Sequence, residues 1–208
     1  MSNSVLLFGG SFDPFHFGHL HLLSQCVTRF SFTDVVLMPT YLNPLKESSR
    51  LPAQDRLALL TAIKHDLPFA DRIRYHIDPF EVNQARACYT VDSLQYVKQA
   101  YNASHCSLLL GSDTFFSLQQ WKNYAWILKN VSLYVVRRDD KALDAYHDYI
   151  RRYLHLKSFR SIIIIDSKIN TISSSTLWEK FKHNDDISDT VPDCVLSYLT
   201  NNSEELLS

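Results

Sequence analysis

Along the chain, short β-rich runs, nearly all of them apolar, alternate with longer stretches in which apolar positions recur every three or four residues. The short runs are Val5–Phe8, Asp34–Met38, Arg72–Ile77, Ser107–Leu110, Ser132–Val136 and Ser161–Ile165. A strand wetted on one face alternates apolar and polar, whereas one covered by helices on both faces does not, so these runs predict parallel strands in a buried sheet. After the first run, Leu20, Leu23 and Val27 share one helical face and His21, Ser24, Gln25 and Thr28 fall elsewhere, which predicts a helix from Gly18 to Arg29. Pro52 suits the opening of a second helix carrying Leu57, Leu60 and Ile63, and a third is expected over Val91–Ala100. The alternation predicts a doubly wound, Rossmann-like α/β fold, its mostly parallel sheet flanked by helices on both faces. No linker, repeat or low-complexity stretch interrupts the pattern, so residues 1–208 are expected to form one domain. Within it, Ser173–Phe181 and Pro192–Leu199 predict a small C-terminal helical part over 166–208.

Charge narrows the partners. Lys and Arg total 21 against 22 Asp and Glu, a net of −1, which provides no general field for gripping a nucleic-acid backbone or an anionic membrane. Any anionic ligand must be held locally. Cys26, Cys88, Cys106 and Cys194 form no C-x-x-C pair, so free thiols in a reducing compartment are expected rather than a disulfide framework or zinc knuckle. Met1-Ser2-Asn3-Ser4 does not open a secretory signal, and no apolar run approaches the roughly 18 residues of a membrane span. A cytoplasmic protein follows, with neither nucleic acid nor membrane as partner. Nothing in the pattern specifies an oligomeric state.

The segment from Gly9 to Leu20 joins the first strand to the first helix, where ligands of open α/β sheets bind. Gly9 and Gly10 let backbone approach a ligand closely, and the helix start directs unpaired N–H groups and a partial positive charge at the same crevice. Phosphate is the natural guest. His16 and His19, three apart with Gly18 between them, can both turn toward it, and a neighbouring anion favours their protonated forms. A metal reading stands beside this one. His16, His19, His21 and Asp13 are all potential ligands, and a zinc hydrolase would use them with further ligands from later strand ends. Those ends supply Pro39, Gly111-Ser112-Asp113 and Arg137-Arg138 instead, which suit phosphate and sugar better.

Gly9-Gly10-Ser11-Phe12-Asp13-Pro14-Phe15-His16-Phe17-Gly18-His19-Leu20 is similar to the H-x-G-H signature of the nucleotidyltransferase superfamily. Within it the chain resembles the bacterial nicotinate-nucleotide adenylyltransferases. Pro39 through Lys46 resembles their proline-rich loop ending in Lys, and Tyr89-Thr90-Val91-Asp92-Ser93-Leu94 their S-Y-T-x-D-T-L segment. Gly111-Ser112-Asp113 with Leu118 and Trp121 resembles the G-A-D…L…W block, and Ile172-Ser173-Ser174-Ser175 the I-S-S-T helix start. The resemblance implies that nicotinate mononucleotide attacks the α-phosphate of ATP, with Mg²⁺ assistance, giving nicotinate adenine dinucleotide and pyrophosphate.

For the site, the resemblance implies His16, His19 and Lys46 as catalytic groups. Gly9, Gly10, Ser11, Phe12, Gly111, Asp113, Arg137, Ser173, Ser174 and Ser175 would join the histidines around ATP. Lys46, Tyr89, Thr90 and Trp121 would hold the mononucleotide, with amides at the helix start on the nicotinate carboxylate and the indole stacked on the ring. Nicotinamide mononucleotide or another nucleotidyl acceptor remains open. Leu45 stands where the family often has His, Arg137-Arg138-Asp139 replaces R-P-G, and Trp178 takes the place of an Arg expected near the polyphosphate. The last change is the argument for a nucleotide-binding regulator with weakened catalysis.

Overall fold

The computed structural model describes residues 3–43, 48–154, 159–167 and 172–207. Its elements follow the predicted alternation: β1 Ser4–Gly10, α1 Phe17–Val27, β2 Asp34–Pro39, α2 Ala53–Ala62, β3 Arg74–Ile77, α3 Phe80–Asn83, α4 Thr90–Ala100, β4 His105–Gly111, α5 Ser112–Phe115, α6 Tyr124–Asn130, β5 Ser132–Val136, α7 Leu143–Tyr153, β6 Ser161–Ile165, α8 Ser174–Lys182, α9 Asp193–Asn201 and α10 Ser203–Leu207. All six strands are parallel, in the order β3-β2-β1-β4-β5-β6. The expected doubly wound architecture is therefore the one observed.

The central strands explain why their sequences do not alternate. Val5 and Leu7 pack with Val36, Met38, Leu108 and Leu110 on one face, while Leu6 and Phe8 pack with Val35, Leu37 and Leu109 on the other. Alternate residues still go to opposite sides, but both sides are core. In a core this closed, truncating a leucine to alanine costs about 2–5 kcal/mol. A third apolar cluster lies off the sheet, where Leu51 and Leu59 pack with Leu177, Trp178 and Phe181 of α8 and Val195 and Leu199 of α9. The C-terminal helices are thereby fastened to the loop after β2 and to α2.

Chain order reverses at β1, which pairs with β2 on one side and β4 on the other. The connections leaving these strands part there and open a crevice at their carboxyl ends. Among the described residues, no helix is long and apolar enough to cross a membrane.

Candidate active site

The bend after β1 is shaped from behind. Phe12 has a left-handed backbone (φ 47°), and its buried ring sits edge-on to Phe8 and His19. The Asp13 carboxylate accepts the N–H groups of Arg50 and Leu51, both at 2.8 Å, and its carbonyl accepts the Trp178 indole N–H at 2.9 Å. Arg56, only 1% exposed, donates to the carbonyls of Ser11, Thr40, Tyr41 and Leu51. A buried guanidinium is tolerated where its donors are satisfied, and these four bonds join the bend to the loop after β2.

At the start of α1 the two histidines cap each other. His16 Nδ1 accepts the His19 backbone N–H and His19 Nδ1 accepts that of His16, both at 3.3 Å. This is a capping box with imidazoles in place of the usual hydroxyl and carboxylate. An Nδ1 that accepts puts the ring proton on Nε2, so the box sets the tautomer of both rings while they stack at 3.8 Å between centroids. Gly18 makes the arrangement possible, because a Cβ there would lie 2.6 Å from the Ile172 carbonyl and 2.8 Å from the His16 ring. Burial, with Arg138 adding to it, lowers the His16 pKa to about 3. In the free protein His16 is thus a neutral N–H donor.

A cavity of about 430 Å³ opens over this pair at the switch point. Gly9, Gly10, Ser11, Phe12, His16 and His19 line one wall, and Gly111 and Asp113 another. Ser173, Ser174 and Ser175 line it from the start of α8. Ser173 is the N-cap, in a capping box with Thr176, so the hydroxyl caps the helix and leaves the first-turn amides of Ser174 and Ser175 at the cavity edge. Tyr89, Thr90 and Trp121 line the far end, with Tyr89 as an N-cap whose side chain makes no capping bond.

Two expected residues stand differently. Arg137 is not among the lining residues: its guanidinium pairs with Asp166 at 2.7 Å and with the Lys141 carbonyl. The backbone of Arg137 still extends β5 by donating to the Ile165 carbonyl, whereas Arg138 N–H turns to Ser112 Oγ, so successive side chains leave on opposite sides. Arg138 therefore lines the cavity, with its guanidinium on the Ile172 carbonyl and 3.8 Å from Asp113. Lys46 and Leu45 lie outside the described residues. Sequence reasoning also passed over Glu81, Ser93 and Lys122, all of which line the cavity.

The zinc arrangement does not assemble. His21 is hydrogen-bonded to Ser167 Oγ, Asp13 is spent on backbone amides, and no group of three metal-binding side chains occurs among the described residues. Trp178 is 3% exposed inside the third cluster, with the Arg50 guanidinium 5.0 Å from its ring.

The cytidylyltransferase-like family model matches residues 7–180. A probable nicotinate-nucleotide adenylyltransferase of Aquifex aeolicus is 35% identical over 171 residues, 82% of this chain and 98% of the relative. The chain belongs to the nicotinate-nucleotide adenylyltransferase family. Another family member, from Chlorobium phaeobacteroides, is 30% identical over 95% of this chain and 97% of its own. Plasmodium falciparum nicotinic acid mononucleotide adenylyltransferase complexed with NaAD shares the fold, with a TM-score of 0.78 at 17% identity over 98% of both chains.

Proposed function

We propose that this chain transfers the adenylyl group of ATP to nicotinate mononucleotide, forming nicotinate adenine dinucleotide and pyrophosphate in NAD biosynthesis. A 5′-phosphate oxygen of the mononucleotide attacks the α-phosphorus of ATP, a new P–O bond forms, and the bond to the β-phosphate breaks. The observation that carries this reading is the capped histidine pair facing one cavity with the α8 entrance and Arg138. Donors fixed before the reaction begins stabilise charge as it develops on the phosphates without reorganising, which is the main resource of phosphoryl transfer. His16 and His19 act through Nε2–H, and Ser174 and Ser175 through their amides. Gly9 to Phe12 hold the backbone close, Gly111 and Asp113 take the adenosine side, and Lys46 adds a charge on the loop after β2.

At the far end, the amides of α4 receive the nicotinate carboxylate and Trp121 covers the pyridine ring. Mg²⁺ enters as part of the ATP substrate. The ion would supply positive charge against the phosphates, and the exposed Asp113 carboxylate on the wall would offer it a protein oxygen. One domain carries the whole reaction, with its C-terminal helical part supplying the α8 donors. Four free cysteines agree with a cytoplasmic location.

The test is pyrophosphate release from ATP and Mg²⁺ with nicotinate mononucleotide, its amide and phosphopantetheine as acceptors. His19→Ala is expected to lower kcat/KM by roughly 100-fold, the usual effect of losing one preorganised donor. An unchanged rate would falsify the role given to the pair.

A further inference from the structure

One carboxyl beneath the α4 entrance is explained neither by phosphate chemistry nor by packing. Glu81 on α3 is 5% exposed and lines the cavity with Tyr89, Thr90 and Trp121. Its Oε1 accepts a 2.5 Å hydrogen bond from Ser93 Oγ of α4, while Oε2 is buried and, among the described residues, has no hydrogen-bond partner. An ionised carboxylate offers about four acceptor positions, and one left bare in the interior is costly. A proton removes most of that cost.

The surrounding groups do not reverse the balance. Asp92, on the first turn of α4, opposes a negative charge on Glu81, and among the described residues the Ser93 hydroxyl favours it. Cys88 lies close by as a buried thiol. Lys122 also lines the cavity, but its ammonium sits 4.2 Å above the Tyr89 ring. Both β2 and α2 pack on α3, and their charged groups are engaged elsewhere: Asp34 with Arg74 and His76, Arg56 with backbone carbonyls, and Asp55 with Tyr198. Burial dominates and raises the carboxyl to about 7.

We propose that the charge on Glu81 sets the choice between a carboxylate and a carboxamide on the acceptor's pyridine ring: neutral Glu81 admits the nicotinate carboxylate at the α4 amides, and ionised Glu81 repels it while leaving the amide untouched. This rests on the function proposed above. Two carboxylates sharing a secluded site do not both stay ionised, so nicotinate binds with a proton held on Glu81. The effect acts through space and needs no contact with the buried Oε2.

The experiment is the ratio of kcat/KM for nicotinate mononucleotide to that for its amide, read by pyrophosphate release across neutral pH. Both acceptors carry the same 5′-phosphate and meet the same ATP, so those titrations cancel. The ratio is expected to fall about tenfold on the alkaline side, the equivalent of one pK unit of repulsion, with its midpoint near 7. Glu81→Gln is expected to flatten the profile. Ser93→Ala loses the bond that favours the anion and moves the step to higher pH, a readout that serves if the Gln variant folds poorly. A flat wild-type ratio, a step that survives in Glu81→Gln, or an unmoved step in Ser93→Ala overturns the inference while the proposed function stands. Absence of release with either acceptor at every pH overturns both.

Discussion

His16 is an imidazole that folding keeps from its ordinary titration. Its buried ring must stay neutral to accept the His19 amide, so protons bind the unfolded chain in preference to the native one. The stability this contributes is fully present above the unfolded value of 6.5 and is lost as pH falls toward about 3. The slope reaches about 1.4 kcal/mol per pH unit. Asn caps a helix without titrating there, so His16→Asn is expected to show a shallower loss of Tm than wild type between those limits, measured by calorimetry. Equal slopes would show that the ring is not held neutral. The pair itself was legible in the sequence because both histidines and Gly18 lie within one helical turn, where spacing alone sets direction. Arg137 was not legible in that way. Whether it or Arg138 faces the cavity depends on the residue at which β5 stops pairing with β6, a tertiary fact that two adjacent arginines do not encode.

At the scale of elements, α8 has two tasks on two faces. Its first turn borders the cavity, and its inner face puts Leu177, Trp178 and Phe181 into a cluster with α2 and α9. Trp178 joins the tasks, because its indole N–H reaches across to the Asp13 carbonyl in the bend that precedes the histidines. The cation expected at this position is thus replaced by a structural tie, which explains the departure by packing and does not argue for lost catalysis. Trp178→Phe keeps most of the apolar volume and leaves that carbonyl without its donor. A loss of about 1–3 kcal/mol in urea unfolding is expected, with a raised KM for ATP as the bend loosens. A variant with unaltered stability and KM would mean that Asp13 and Arg56 hold the bend without help. Periodicity revealed α8, but not its partner 165 residues away.

Over the whole molecule, the cavity gathers segments distant in sequence: the bend after β1, the α4 entrance, the wall after β4, and α8. The strand order brings them together, since reversal at β1 leaves the carboxyl ends of β1 and β4 open to one crevice. The alternation of strands and helices announced this architecture, because doubly covered central strands carry few polar positions. It could not announce Glu81, whose importance comes from a missing hydrogen-bond partner and not from a motif. The proposed ligand positions divide the cavity into two ends with different responses. ATP should slow hydrogen exchange over the first turn of α1 and at the amides of Ser174 and Ser175 together, because one polyphosphate occupies both helix starts. The amides of Thr90 and Val91 should respond only when the mononucleotide is added. Hydrogen-exchange mass spectrometry with each ligand alone and with both separates these patterns. Protection by ATP at α1 without protection at α8 would break the shared polyphosphate site and leave the C-terminal helices as a brace for the bend.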